Sequence, residues 1–343
     1  MTDARLLTRA LTDPVSTGAL DADGWTALIA MARAEQLMGT LAHRLDGLDL
    51  PTKVAQLCAD ARRSADHARR QALWEAEMAR RVLAPLGEPV ILLKGTAYVA
   101  AGLSAGIGRS IGDLDILVRR AALGAVERAL IERGGWEWVK EDEYDDAYYR
   151  DHMHELPPLI HKERDRMIDV HHTVLPLTAR PTPDAASMIA ESEPLDPSTG
   201  SGDLRILSPP DMICHAAAHL FADGDLAGGL RNLWDIDRLC RDFGKRVGFW
   251  PELGERAGRH QLAKPVSRAL HLAETLYDTP VDGNVAGRGR AGDTLYIRRL
   301  LARDGWGRET RKGVRLAFYI RSHWLRMPPL MLARHLWTKW RKG

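Results

Sequence analysis

The sequence is poor in cysteine and has no long apolar run. Its three cysteines, Cys58, Cys214 and Cys240, are odd in number and far apart. Neither a disulfide framework nor a CxxC metal clip can be built from them. No uninterrupted apolar stretch approaches the roughly 20 residues of a membrane-spanning helix, and the start, MTDARLLTRALTD, lacks the apolar core of a signal peptide. These absences predict a cytoplasmic protein without a transmembrane span.

An excess of charge of one sign is also missing. The chain has 48 Lys and Arg against 46 Asp and Glu, a net charge of +2, which argues against a protein that coats nucleic acid by bulk charge. The distribution is uneven, because residues 308–343 hold ten basic residues and one acid, leaving −7 on residues 1–307. This basic tail predicts either a partner that is anionic (a membrane, RNA or an acidic peptide) or a final helix packed on the body with its charges in solvent.

Several short motifs of nucleotide and metal enzymes are absent. The chain has no GxxxxGK[ST] loop and no HExxH, and Gly106-Ile107-Gly108 is too short for a dinucleotide fingerprint. His215 and His219 are spaced i, i+4 on a predicted helix, which suits a zinc ligand pair or, as we prefer, a structural or nucleotide-contacting role. The pairs His152/His154 and His171/His172 are not spaced like a closed metal site.

Hydrophobic periodicity divides the chain into four parts. With 45% hydrophobic and 27% charged residues, the composition is that of a globular protein, and we expect an α+β fold with a mixed sheet. We predict an N-terminal helical segment (1–85), an α/β core (86–178), a loop or linker (179–205) rich in Pro, Ser, Thr and Asp, and a C-terminal helical domain with the basic tail (206–343). Ser208 is expected to cap the first helix of that last part, with Asp211 three residues later. The predicted strands of the core are 90–93, 113–118, 136–139, 158–162 and 167–175.

The informative segment is LLKGTAYVAAGLSAGIGRSIGDLDILV, residues 92–118. On a strand, Asp113 and Asp115 point to the same face, and two adjacent carboxylates repel unless a cation lies between them. A divalent ion such as Mg²⁺ prefers oxygen ligands of this kind, although two solvated acids at a strand edge would show the same pattern. Asp169 lies within an apolar strand pattern, where sharing the metal ions would offset the cost of burying a carboxylate.

A phosphate site is expected upstream of these acids. Gly95 and Thr96 follow a strand and begin a helix, so that backbone N–H groups and a hydroxyl could hold phosphate oxygens. Lys94 adds a cation suited to a polyphosphate.

A glycine–hydroxyl turn, a DxD strand and a later strand aspartate resemble the nucleotidyltransferase superfamily that includes DNA polymerase β. The pattern L-K-G followed by R-x-x-x-D-x-D-I-L-V, in which Arg109 is the arginine, resembles more narrowly a bacterial family of uncharacterised nucleotidyltransferases. Similarity continues at 207–209, His215, His219, Arg231 and 234–237. The segment SHWLRMPP resembles members encoded beside genes for lasso-peptide maturation.

The resemblance implies a polymerase β-like core and a two-metal mechanism. Two Mg²⁺ ions would be held by Asp113, Asp115 and Asp169, with Asp169 as general base or only as metal ligand. Lys94, Gly95, Thr96, Arg109, His219 and Arg231 would bind the nucleoside triphosphate. Arg231 has a simpler alternative, a surface ion pair with Asp235.

The implied reaction transfers a nucleotide monophosphate, by default AMP from ATP, to a hydroxyl of a small molecule or peptide natural product. Transfer from a nucleotide sugar or another activated phosphate donor is the alternative within the same fold. A non-catalytic regulatory module that binds nucleotide is the alternative from another class.

Overall fold

The computed structural model describes residues 3–140, 149–195, 204–222, 225–326 and 337. Its strands are β1 (Val90–Leu92), β2 (Leu114–Leu117), β3 (Trp136–Trp138), β4 (Leu159–His161), β5 (Met167–His171), β6 (Glu193–Pro194) and β7 (Leu204–Ile206). They form one sheet in the order β3-β4-β5-β2-β1-β7-β6. β1 pairs with β7, and β2 with β5, in parallel, while the other neighbours are antiparallel. The sheet is therefore mixed.

Helices precede, interrupt and follow the sheet strands in the chain. Four come before the sheet: α1 (Arg5–Thr12), α2 (Ala22–Ala34), α3 (Met38–Arg44) and α4 (Thr52–Leu83). Within the sheet region lie α5 (Lys94–Ala100), α6 (Leu123–Gly134) and α7 (Ala185–Ala190). After it come α8 (Pro209–Ala222), α9 (Gly229–Phe243), α10 (Phe249–Arg259), α11 (Ala263–Tyr277), α12 (Gly283–Ala286), α13 (Asp293–Leu300) and α14 (Lys312–Arg326). The expected α+β class is confirmed.

A continuous hydrophobic core joins these parts. The cluster includes Leu11 on α1, Ile116 on β2, Leu270 on α11 and Phe318 on α14. Every residue of β1 and β2 is buried, as expected for central strands covered on both faces. The helices at both ends of the described chain therefore contribute to the same core as the sheet.

The predicted strands correspond to β1 to β5, but the stretch expected to be a loop, 179–205, contains regular structure. It holds α7, whose first turn is capped by Asp184 accepting a hydrogen bond from Ser187 N at 2.9 Å. It also holds β6, which pairs with β7 at the sheet edge, where a proline such as Pro194 is tolerated because one side of the strand is unpaired. The boundaries at 85, 178 and 205 stay predictions, and residues 327–336 and 338–343 of the basic tail lie outside the described ranges.

Helix α8 begins where the sequence predicts, but not by the expected cap. Within the described part of the chain, Ser208 Oγ is buried without a hydrogen-bond partner. Asp211 instead accepts from Arg256 Nε at 3.0 Å and lies 3.0 Å from His260 Nε2. The acid in the first turn therefore joins α8 to α10.

None of the helices in the described ranges combines the length and the apolar character needed to cross a bilayer.

Candidate active site

Three carboxylates converge where the neighbouring parallel strands β2 and β5 pair. In this parallel pair Asp115 is directly opposite Asp169, and Asp113 immediately precedes β2. One ligand oxygen from each of the three lies within 4.8 Å of the others. We call Asp113, Asp115 and Asp169 the acid triad. The i, i+2 spacing and the parallel register together bring the three predicted acids to one point.

Asp115 is almost fully buried and has two partners. Lys94 Nζ donates to its Oδ1 at 2.6 Å, and His171 Nε2 lies 3.1 Å from the same oxygen. Burial, the largest influence, raises the pKa of Asp115, but Lys94 and His171 outweigh it and hold that pKa below its ordinary value. Asp115 is therefore ionised at neutral pH. Burial in turn lowers the pKa of His171, which favours its neutral form.

Asp169 has the opposite electrostatic environment. Burial, followed by the carboxylates of Asp115 and Asp113, raises its pKa to about 7, although Lys94 opposes the change. The negative charge of three converging acids thus exceeds the single positive charge of Lys94. Additional positive charge would stabilise the ionised form of Asp169.

Two acids of the triad, Asp113 and Asp115, line a cavity of about 430 Å³, and Asp169 lies beside them without lining it. Its lining residues are Gln36, Lys94, Gly95, Arg109, Ser110, Ile111, Gly112, Asp113, Asp115, His219 and Arg231. Five predicted phosphate or nucleotide residues (Lys94, Gly95, Arg109, His219, Arg231) thus share one cavity with two triad acids. The sixth, Thr96, is 2% exposed and does not line the cavity.

Lys94 carries backbone strain at this cavity. It begins α5, two positions after the last residue of β1, and has φ +48°, a left-handed conformation that costs a non-glycine residue on the order of 1 kcal/mol. Strain of this kind is tolerated where the surrounding structure holds it and is concentrated at functional sites. The conformation accompanies the contact of Lys94 with Asp115.

Gly95 makes room for Arg109. A Cβ on Gly95 would lie 2.5 Å from Arg109 Nε and 3.1 Å from its Cδ. The Arg109 guanidinium is buried, forms an ion pair with Asp235 and lies 5.5 Å from the centre of the Tyr98 ring. The observed requirement for glycine therefore comes from side-chain packing, and a phosphate contact by Gly95 stays a prediction.

Helices α8 and α9 complete the cavity wall. His219 and Arg231 face the cavity, and Asp235, expected as the alternative partner of Arg231, is the ion-pair partner of Arg109. Burial and then the neighbouring Arg109 lower the pKa of Arg231, so an anion beside it would be stabilising. The rings of His215 and His219 are parallel, 6.4 Å apart. Among the described residues, neither histidine belongs to a group of side chains placed closely enough to share a metal ion.

Sequence reasoning missed two contributors to this site. Gln36, which has φ +55° at the corner between α2 and α3, lines the cavity from the N-terminal helical part. Asp235 positions Arg109 from 126 residues away. The sequence indicates Asp235 only as a family-like residue and as a surface partner for Arg231, and nothing in the spacing indicates which acid pairs with Arg109.

No curated protein matches the chain. A family model described as uncharacterised nucleotidyltransferase matches residues 21–278, which covers the acid triad, the cavity and the helices α8 and α9. This match extends over most of the chain and includes every residue that we place at the site. The chain therefore belongs to the uncharacterised nucleotidyltransferase family.

Proposed function

We propose that the protein is a Mg²⁺-dependent nucleotidyltransferase with a polymerase β-like core that transfers a nucleotide monophosphate, AMP from ATP by default, to a hydroxyl acceptor. One observation carries the proposal. The carboxylates of Asp113, Asp115 and Asp169 lie within 4.8 Å of one another, beside a cavity lined by Lys94, Arg109 and Arg231. A metal-binding group next to convergent cations is the arrangement that holds a triphosphate.

The acid triad fits divalent cations of the Mg²⁺ type. Its donors are carboxylate oxygens, which Mg²⁺ prefers, and the raised pKa of Asp169, due to burial and to Asp115 and Asp113, indicates a shortage of positive charge. Asp113, Asp115 and Asp169 would hold two ions. Bound there, the ions would neutralise phosphate charge and lower the pKa of the acceptor hydroxyl.

The chain's own residues account for the remaining tasks. Arg109 and Arg231 can bind phosphate oxygens, and the ion pair with Asp235 fixes the orientation of the Arg109 guanidinium. Lys94, which contacts Asp115 at 2.6 Å, is near enough to the acids to bridge them to the phosphates. In the reaction the acceptor oxygen bonds to the α-phosphorus, the bond to the leaving pyrophosphate breaks, and the hydroxyl proton passes to Asp169 or to solvent.

The acceptor is proposed to be a hydroxyl of a small molecule or of a peptide natural product. The cavity presents cations toward the nucleotide, and the basic tail would favour an acceptor or partner that carries negative charge.

A second candidate is a nucleotide-binding module without turnover. The observation in its favour is the ion pair between Lys94 and Asp115, since an ammonium group already neutralises one of the acids that a catalytic cation would need. In that case the cavity would bind nucleotide and the acid triad would not support transfer.

Incubation of the full chain with Mg²⁺, each α-labelled nucleoside triphosphate and a panel of hydroxyl acceptors tests the proposal. We expect pyrophosphate release and a labelled product, both abolished by a chelator and by Asp113→Asn. Asp60→Asn, which removes an exposed carboxylate from α4, serves as the charge-matched control and should react as wild type.

Two results would contradict the catalytic proposal. One is transfer that persists in Asp113→Asn and Asp169→Asn. The other is tight nucleotide binding without pyrophosphate release across the whole panel, which would favour the binding module.

A further inference from the structure

A second group of potential metal ligands lies on the far side of His171 from the acid triad. One ligand atom each from His154, Glu155 and His171 lies within 4.8 Å of the others. We call these three residues the histidine cluster. It shares no residue with the acid triad, but the His171 ring bridges the two groups: Nε2 lies 3.1 Å from Asp115 Oδ1 and Nδ1 lies 3.4 Å from Glu155 Oε2.

Backbone pairing holds the histidine cluster together. Glu155 forms an isolated antiparallel bridge with His171. On either side of it, Leu156 N donates to Val170 O at 2.9 Å, and His172 N donates to His154 O at 2.9 Å. The segment before β4 thus continues along the end of β5, so the relative positions of the three side chains are fixed by main-chain hydrogen bonds. This pairing brings together histidines that are 17 positions apart, which is why their spacing in the sequence does not resemble a metal site.

The distances suit a first-row transition metal. Zinc binds nitrogen and carboxylate oxygen at about 2.0–2.1 Å, so ligand atoms at the corners of a tetrahedron lie roughly 3.3–3.4 Å apart. Glu155 Oε2 is 3.4 Å from His171 Nδ1 and 3.6 Å from His154 Nε2. Both contacts of Glu155 are thus close to the tetrahedral separation, and the ligand atoms of the two imidazoles lie within 4.8 Å of each other.

The types of ligand and their neighbours also suit a transition-metal ion. Two imidazoles and one carboxylate favour Zn²⁺ and related ions over Mg²⁺, which prefers oxygen alone. A metal-bound histidine typically gives its other N–H to a carboxylate, and Asp115 provides one for His171. The side chains of His154 and Glu155 are each 20% exposed, so water can reach a fourth coordination position.

We propose that His154, Glu155 and His171 bind a divalent transition-metal ion of the zinc class, at a site separate from the acid triad. The ion would take the Nδ1 atom of His171 and so fix the Nε2–H of that ring toward Asp115. The site therefore would help to position the buried acid of the triad. The alternative is a hydrogen-bonded chain from Asp115 through His171 to Glu155 without a metal.

Cobalt binding to the untagged full chain, stripped with a chelator and dialysed, tests the proposal. A Co²⁺ ion held by two imidazoles at low coordination number absorbs visible light far more strongly than one in an octahedral oxygen site. We expect a strong band that saturates at one equivalent and is displaced by Zn²⁺ but not by excess Mg²⁺. His154→Gln and Glu155→Gln should weaken Co²⁺ binding by about 100-fold or more, since each removes a direct ligand.

Matched variants separate this site from others. His67→Gln removes an exposed histidine on α4, and Asp113→Asn removes a triad acid; both should keep the band and its affinity. Circular dichroism and thermal melting verify that each variant is folded. The proposal is overturned if no strong band forms, which would favour the hydrogen-bonded chain. It is equally overturned if the band survives both cluster substitutions or is lost in Asp113→Asn, which would place the ion elsewhere.

Discussion

Two sites that contain a buried carboxylate, Asp211 and the acid triad, are neutralised to different degrees. Asp211, at the start of α8, accepts hydrogen bonds from Arg256 and lies 3.0 Å from His260 Nε2. Burial, the largest influence, raises its pKa, but His260 and Arg256 outweigh it and hold the pKa below its ordinary value. In the acid triad, by contrast, three carboxylates meet and the pKa of Asp169 rises to about 7 through burial and its two acidic neighbours.

The difference is the one expected between a structural use of buried charge at Asp211 and the proposed metal-binding use at the acid triad. The chain supplies the cations for Asp211, so that its charge favours the folded state without a ligand. At the acid triad the folded chain retains repulsion that an added cation would relieve. Aspartates in one fold are therefore neutralised to different degrees, according to the number of positive groups that the fold places around each.

The largest expected effect follows from removing a triad acid. Asp113→Asn should lower the rate of nucleotidyl transfer by at least about 10⁴-fold, at 1.36 kcal/mol per factor of ten, because a ligand of the proposed ions is lost. The melting temperature should stay close to that of wild type, since Asp113 is exposed. Turnover and thermal melting, measured on the same preparation, decide this. A large loss of stability with little loss of rate would remove the contrast with Asp211.

Removing the neutralised acid should produce the opposite pattern. Asp211→Asn leaves the buried Arg256 without its main partner and should lower the free energy of unfolding by about 3–5 kcal/mol, measured in urea. The exposed pair of Asp60 and Arg63 provides the control, as Asp60→Asn should cost no more than about 0.5 kcal/mol. An Asp211 variant as stable as the Asp60 variant would contradict a structural role.

Substitution of Gly95 tests whether the ion pair between Arg109 and Asp235 only stabilises the fold or also supports nucleotide binding. Gly95→Ala puts a methyl group 2.5 Å from Arg109 Nε and should cost about 1–3 kcal/mol of stability through overpacking, while raising the KM for the nucleotide. Gly112→Ala is the matched control, since Gly112 lines the same cavity and a Cβ there meets nothing within 4 Å. If the two substitutions change stability and the KM for the nucleotide equally, displacing Arg109 has no consequence for either.

Much of the acid triad could be predicted from the sequence, because it depends on local rules. The spacing of Asp113 and Asp115 determines their shared face, and the apolar pattern around Asp169 predicts a strand that pairs nearby. The partners of these and other buried acids could not be predicted in the same way. Lys94 contacts Asp115 from 21 positions away, and Asp235 reaches Arg109 across 126.

Short elements were the other gap in the prediction. The stretch expected to be a loop, 179–205, contains α7 and β6, of six and two residues, too short for periodicity to reveal. Asp211 shows the limit on distant partners again, since the pattern around it predicts a helix cap and the structure pairs it with Arg256, 45 positions away.

Relief of repulsion at the acid triad should be measurable without activity. In a chelator at pH 8, Asp169→Asn removes one of three converging charges and should raise stability by about 1 kcal/mol, or roughly 2–4 °C in melting temperature. With Mg²⁺ added, wild type should melt at the higher temperature, because the bound ion stabilises it and the variant lacks one of the ligands. A variant that melts below wild type in the chelator would show that Asp169 is already neutralised, as Asp211 is.

The smallest expected effect is in the pH dependence of stability. A carboxyl whose folded-state pKa is below its unfolded value, about 3.9 for aspartate, stabilises the fold at higher pH. This stabilisation is lost as the pH falls through the folded-state pKa. Burial opposes this depression at Asp211, but the hydrogen bonds from His260 and Arg256 lower its pKa overall. The gap in unfolding free energy between wild type and Asp211→Asn should therefore narrow by about 1 kcal/mol from pH 6 toward pH 3. Urea unfolding at successive pH values measures it, and a gap that stays constant would mean that the charge of Asp211 is not what joins α8 to α10.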